Sequence, residues 1–367
     1  MTDVVDKDYM RLALSLAEKG RGRTSPNPMV GAVLVKNGAI EGTGYHRAAG
    51  KEHAEIVAIR DAGKRSRGAT LYVTLEPCCH SGRTGPCSEA IIRAGIRKVV
   101  YAVKDPDPRV NSKCARLLRR AGVEVKGGLL RKEARLLNDK YFGYVENGRP
   151  YVIVKCAQTL DGRIATRTGH SKWISSPESL KTAHRLRSEV DAVVVGMGTV
   201  RHDNPSLTVH RIKGKNPYRI VISASLKFPR QCQLLDNNSD YKTIIATTSE
   251  AMDKFLHRKS VKKLIFWELR LNSNGMIDIA DFIQKANDFG LRSLLIEGGA
   301  TLATSFLRSG LVDKYVVFTA PIILGSGINS VGDLNSHYVT NAISLEGVSI
   351  RKSGSDCLVV GYPGKDK

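Results

Sequence analysis

The chain has 367 residues, too many for one typical core, so two domains are expected. Hydrophobic residues make up 42% and charged residues 25%, the balance of an ordinary globular protein, which excludes disordered and fibrous classes. Lysine and arginine outnumber the acids 57 to 35, a formal charge of +22 that would suit nucleic acid, or else a generally basic proteome together with phosphorylated small-molecule substrates. With 6% aromatics and no RNA-recognition, zipper or zinc-finger pattern, nucleic acid is not expected as the main substrate.

The first residues, Met1 to Lys7, are acidic and polar and lack the basic start and apolar core of a signal peptide. No run of about 18 apolar residues follows, so no membrane span is expected, and the cytoplasm is the expected compartment. Tyr9, Leu12, Leu14, Leu16 and Ala17 recur at helical spacing over 8–19, with Gly20 closing the helix. Residues 24–28 are turn-rich. Val30–Val35 and Ala39–Tyr45 read as a hairpin joined at Asn37-Gly38. A helix over 53–62 ends at Gly63, a β-branched strand over 70–74 runs into Leu75-Glu76-Pro77, and a helix over 88–94 ends at Gly95. A strand over 98–103, a helix over 113–121 and a connecting helix over 129–145 complete this half. Asn147-Gly148-Arg149-Pro150 breaks the chain, and the domain boundary is placed at 146/147. Strands alternating with helices predict an α/β sandwich with a mixed or parallel sheet.

Within this half lies the densest chemistry. Seven cysteines are an odd, scattered set and a poor disulfide framework; only those at 78, 79 and 87 cluster, which favours a metal in a reducing compartment. His53, Cys78 and Cys87 supply one imidazole and two thiolates, three ligands for one tetrahedral zinc with a fourth place for water. Metal of this kind brings the pKa of bound water toward neutrality. Glu55, two residues after His53 at a helix start, is in the site but off the metal, placed to move a proton from water to a leaving amine. The set describes a hydrolytic deaminase of a nucleobase-like ring, although eight residues separate Cys78 from Cys87 where the commonest signature has two. Adjacent strand residues face opposite ways, so only one of Cys78 and Cys79 ligates; Cys78 is favoured because it follows Pro77.

The second half starts over. A strand over 151–157 and a helix over 177–188, with Pro177 near its first turn, precede strands at 192–195, 219–222, 243–246, 262–266, 293–296 and 315–319. Helices over 279–288 and 302–309 lie between them, and 352–367 forms a last strand and a basic tail. This is a doubly wound pattern. Gly196-Met197-Gly198-Thr199-Val200 is a weak dinucleotide signal by itself. Glu297-Gly298-Gly299-Ala300-Thr301-Leu302, joining strand to helix, suits a pyrophosphate better, because glycines let phosphate approach N–H groups at a helix start.

The run Thr74-Leu75-Glu76-Pro77-Cys78-Cys79-His80-Ser81-Gly82-Arg83-Thr84-Gly85-Pro86-Cys87, with Pro26-Asn27-Pro28-Met29-Val30-Gly31 and Gly44-Tyr45-His46, resembles the RibD family, the bifunctional deaminase/reductases of riboflavin biosynthesis. The long cysteine spacing is that family's own version of the motif, and the resemblance covers about residues 8 to 362. It implies a cytidine-deaminase-like domain over 1–146 and a dihydrofolate-reductase-like domain over 147–367 that uses NADPH. It implies a phosphorylated pyrimidine substrate and a homo-oligomer. Asn27, His46, His80 and Arg83 would meet the ring and its phosphate. Ala157, Trp173, Thr199, Asp203, Gly299, Ala300, Thr301 and Leu302 would meet the cofactor. Ser171, Arg187, Leu207 and Glu297 would meet the sugar phosphate, with Lys155 and Asp203 nearest the reacting carbon. Where the family shows Thr-x-Arg, this chain has Thr208-Val209-His210-Arg211, so either His210 replaces the arginine or Arg211 reaches in.

The expected reactions are zinc-dependent deamination of 2,5-diamino-6-ribosylamino-4(3H)-pyrimidinone 5′-phosphate, then reduction of its ribosyl group to ribityl. Two other readings compete. One is a nucleoside or RNA deaminase with a basic nucleic-acid-binding C-terminal module. The other is a non-enzymatic binding protein whose zinc is closed by Cys79 or His80 as fourth ligand.

Overall fold

The computed structural model describes residues 2–79, 85–172, 174–236, 240, 242–258 and 263–364. The chain divides into two units, Met1–Gly148 and Arg149–Lys367, two residues beyond the boundary expected from the Asn147–Pro150 break.

In the first unit, α1 (Thr2–Glu18) precedes the hairpin β1 (Gly31–Lys36) and β2 (Ala39–Tyr45). Asn37 and Gly38 both take positive φ, 52° and 82°, as a two-residue turn matching strand twist requires. Then come α2 (Ala54–Ala62), β3 (Thr70–Leu75), α3 (Cys87–Arg93), β4 (Lys98–Val103), α4 (Lys113–Arg120) and β5 (Glu124–Gly127). The sheet order is β2-β1-β3-β4-β5, with β1 antiparallel to β2 and β3, and β3, β4 and β5 parallel. Both faces are covered, so β1 alternates between two cores: Ala32 and Leu34 pack with Ala54 and Ala58 of α2, while Val33 and Val35 pack with Met10 and Ala13 of α1. The expected connecting helix is two helices, α5 (Arg131–Leu137) and α6 (Asp139–Asn147), because Asn138 leaves helical geometry (φ −113°, ψ 29°) to hydrogen-bond Met29.

The second unit opens with β6 (Tyr151–Thr159), the short β7 (Arg163–Ala165) and α7 (Pro177–Ser188), capped by Ser176 Oγ accepting from the Ser179 N–H. There follow β8 (Ala192–Gly196), α8 (Met197–Asp203), β9 (Tyr218–Ile222), α9 (Gln233–Asp236), β10 (Thr243–Thr247), α10 (Ser249–Arg258) and β11 (Ile265–Glu268). The chain continues through α11 (Ile279–Asp288), β12 (Ser293–Ile296), α12 (Ala300–Arg308), β13 (Lys314–Ala320), the two-residue β14 (Ile328–Asn329), β15 (Leu345–Ser353) and β16 (Asp356–Pro363). Nine strands form one sheet in the order β11-β10-β9-β8-β12-β6-β13-β16-β15. The run from β11 to β13 is parallel and buried on both faces, hence continuous apolar strands such as Val193-Val194-Val195. The expected single last strand is an antiparallel hairpin, β15–β16. From β6 the chain winds out through β8 to β11, then returns to insert β12 beside β6, which opens a crevice at the carboxyl ends of β8, β12 and β6.

Candidate active sites

The first site lies where α2 and α3 begin and β3 ends. Gly44 makes room for it: a Cβ there would stand 2.3 Å from the Ala54 carbonyl oxygen, so only glycine lets α2 rest directly on β2. His53 precedes the first residue of α2 in extended geometry, and Glu55 occupies the first turn, 3% exposed. Cys87 opens α3, fully buried, and its N–H donates to Cys78 Sγ at 3.4 Å. His53 Nδ1 lies 3.1 Å from Cys87 Sγ and 3.5 Å from Cys78 Sγ. Tetrahedral zinc with nitrogen and sulfur ligands sets neighbouring donors roughly 3.5–3.8 Å apart; the His53–Cys78 pair has that spacing, the His53–Cys87 pair is tighter, and all three donor atoms lie within 4.8 Å of one another, close enough to converge on one ion. They are the one His/Cys/Asp/Glu group of this kind among the described residues.

Charge tells the same story. A hydrogen bond from the Cys87 thiol, aided by His53, holds Cys78 down at about 4 despite burial, while Cys87 is pushed well up by the same bond and by its own burial. His53 rises to about 9 through its bond to Cys78. Two sulfurs this close cannot both ionise without a cation, and a divalent ion removes that conflict. Burial, then the Cys78 charge, raises the Glu55 carboxyl, so it holds a proton more readily than an exposed acid. Cys79 is turned away toward the Arg109 carbonyl oxygen, 3.9 Å from its sulfur, and is not part of the cluster.

Around the cluster, His46 is 2% exposed and its Nδ1 lies 3.0 Å from the Glu52 carbonyl oxygen, so that nitrogen carries the hydrogen. Nε2 is then an acceptor for the Asn27 amide at 3.1 Å, and burial keeps the ring neutral. The structure therefore brings Asn27, His46, His53, Glu55, Cys78 and Cys87 together. His80 and Arg83 lie outside the described residues. Glu76 escaped sequence reasoning: its buried carboxylate accepts from the N–H groups of Ser112 (3.0 Å) and Ala115 (3.2 Å) and fixes the start of α4. An acid at the end of an apolar strand was the available signal.

The second site is a cavity of about 840 Å³ at the carboxyl ends of β6, β8, β9 and β12. Its walls hold Lys155, Ala157, Ser171, Arg187, Thr199, Asp203, Leu207, Glu297 and the turn Gly299 to Leu302, as the sequence suggested; Trp173 lies outside the described residues. Thr199 Oγ1 accepts the Gly299 N–H at 3.2 Å, tying the start of α12 to α8. Ser171 Oγ donates to Asp203 at 3.0 Å. Deeper in, Arg187 grips Glu297 through Nε and Nη2 at 2.7 and 2.9 Å, and Lys155 Nζ stands 3.9 Å from the same carboxylate. Burial alone would raise Glu297, but Arg187 and Lys155 hold it at about 2. Two cations against one anion leave this end positive, suited to a phosphorylated ligand.

His210 and Arg211 do not line the cavity. The His210 ring packs edge-on against His184, centroids 4.3 Å apart, and the backbone N–H of His210 donates to His184 Nδ1 at 3.3 Å. Ser223, Met276 and Ser330 do line it, and sequence reasoning missed them, since each comes from a loop with no chemical motif.

Residues 3–103 match the cytidine and deoxycytidylate deaminase zinc-binding region, and residues 150–359 match the RibD C-terminal domain. The riboflavin biosynthesis protein RibD of Aquifex aeolicus (strain VF5) is 45% identical over 357 residues, 97% of this chain and 98% of that protein. The chain belongs to the RibD family. RibD of Escherichia coli (strain K12) is 38% identical over 334 residues, 88% of this chain and 89% of that protein. A crystal structure from Thermotoga maritima, described as a diaminohydroxyphosphoribosylaminopyrimidine deaminase/5-amino-6-(5-phosphoribosylamino)uracil reductase, superposes with a TM-score of 0.86 at 34% identity, covering 99% of this chain and all of that one. As a RibD the chain is a bifunctional deaminase and reductase of riboflavin biosynthesis, with the zinc-binding type of deaminase domain first and the reductase domain second. The C-terminal match removes the reading of the second half as a nucleic-acid-binding module.

Proposed function

We propose that the first unit deaminates 2,5-diamino-6-ribosylamino-4(3H)-pyrimidinone 5′-phosphate and that the second reduces the product's ribosyl group with NADPH, giving 5-amino-6-(5-phosphoribitylamino)uracil. The observation that carries this is the convergence of His53 Nδ1 and the sulfurs of Cys78 and Cys87 beside buried Glu55, in a chain that matches RibD relatives from end to end. The name of the Thermotoga relative supports the substrate.

His53, Cys78 and Cys87 would hold one zinc ion, which supplies Lewis acidity that lets water ionise near neutral pH. Glu55 takes a proton from the attacking water at its carboxylate and returns it to the departing amine, so ammonia leaves neutral and the ring gains an oxygen at C2. Asn27, oriented by His46, faces the ring edge. In the second unit NADPH supplies the hydride. Thr199, Asp203 and the turn from Gly299 to Leu302 hold the cofactor, Lys155 and Arg187 attract the phosphorylated substrate, and Glu297 fixes both cations. Lys155 and Asp203 are the polar groups assigned to the reacting carbon.

Mass analysis of the products tests this. Substrate alone should yield a species with one amine replaced by oxygen, and addition of NADPH should add two hydrogens. Reduction without prior replacement, or no change with either, would contradict it.

A further inference from the structure

We propose that Asn138 is a positioning residue for deamination, holding the Asn27 loop in register with His53 and the helix start that carries Glu55. The inference rests on the reading of Asn27 as a contact to the substrate ring.

Asn138 is 4% exposed and stands at the break between α5 and α6. An alanine or leucine would favour one continuous helix there. The break turns the Asn138 amide onto the backbone of Met29: its Oδ1 accepts the Met29 N–H at 2.8 Å and its Nδ2 donates to the Met29 carbonyl at 2.9 Å. Both main-chain groups of one residue are thus held by one side chain from 109 positions away. Met29 follows Asn27 by two residues, Asn27 bonds His46, and His46 bonds the carbonyl of Glu52, the neighbour of His53. The chain of contacts runs from the α5–α6 junction to the proposed metal ligand.

A second contact from the same helix reaches the same end of the sheet. Tyr141 donates to buried Asp105 at 2.8 Å, and Asp105 lies just past β4, parallel to the β3 strand that leads to Cys78. Helices α5 and α6 lie beyond residue 103, where the match to the general deaminase region stops.

The test uses the full chain with Asn138→Ala, Asn138→Asp, Asn27→Ala and the double variant Asn27→Ala/Asn138→Ala. Asn138→Asp keeps the acceptor for the Met29 N–H and loses the donor. Deamination KM and kcat, bound zinc, and reduction of the separately supplied deaminated substrate are measured. Each Asn138 variant should raise deamination KM about tenfold with kcat within about threefold, as expected for loss of a buried orienting bond. Zinc content and reduction should be unchanged, and adding Asn138→Ala to Asn27→Ala should change KM little further. An unchanged KM in zinc-loaded Asn138→Ala would overturn the proposal. So would loss of zinc in both Asn138 variants, which marks a purely structural residue, or effects that multiply in the double variant. If Asn27→Ala alone leaves KM unchanged, the ring-contact reading fails, and the proposal falls with it for that separate reason.

Discussion

Glu55, to which we assign the proton transfer, is buried, and burial with the Cys78 charge raises its affinity for a proton. Glu55→Gln keeps the shape and removes the titration. Zinc content should be unchanged, deamination should fall by about 10²–10⁴-fold, and NADPH oxidation on deaminated substrate should persist. Metal analysis beside the two assays checks it; substantial deamination by the variant would mean another group carries the proton. Glu297 gives the corresponding prediction in the second unit. Its folded value of about 2 lies below the ordinary 4.5, so its ion pairs stabilise the fold above the unfolded value and fade as pH falls from about 4.5 toward 2. Glu297→Gln leaves Arg187 buried without its anion, a loss of roughly 3–5 kcal/mol at neutral pH. Denaturation midpoints of the two proteins should differ widely at pH 6 and converge as pH falls through that window. A difference independent of pH would show that the carboxylate's charge is not what matters.

At the scale of elements, the deaminase site depends on how closely α2 lies on β2. Gly44→Ala places a methyl group 2.3 Å from the Ala54 carbonyl oxygen and must lift the first turn that carries Glu55. Deamination and zinc affinity should each drop at least about tenfold, with reduction intact; equal loss of both activities would point to general unfolding instead. Much of this was readable beforehand. Asn37-Gly38 announced the hairpin, the glycines at 20, 63 and 95 marked helix ends, and His53, Glu55, Cys78 and Cys87 stood out because metal chemistry restricts which residues can serve. The illegible parts have physical causes. The 129–145 stretch keeps helical spacing across Asn138, and only the distant Met29 backbone explains the break. The strand β15 is exposed along nearly its whole length, so it carries no alternation to read. His210 stands at the position of the family's arginine, and spacing could not show that it packs on His184 away from the cavity wall.

The whole molecule joins two chemistries, each in its own unit with its own core. No helix among the described residues is long and apolar enough to cross a membrane. The surplus charge of +22 should attract a phosphorylated substrate to either site. The ratio kcat/KM for both reactions should then fall as salt rises, with kcat steady, and salt-independent ratios would remove charge from the explanation. The division of labour is tested most directly by adding a zinc chelator to purified protein, then supplying first the pyrimidinone phosphate and afterwards its deaminated product. Chelation should abolish ammonia release from the first while NADPH absorbance still falls with the second. Ammonia release that survives complete removal of zinc, or reduction that disappears with it, would contradict the assignment of the two chemistries to His53–Cys78–Cys87 and to the Glu297 cavity.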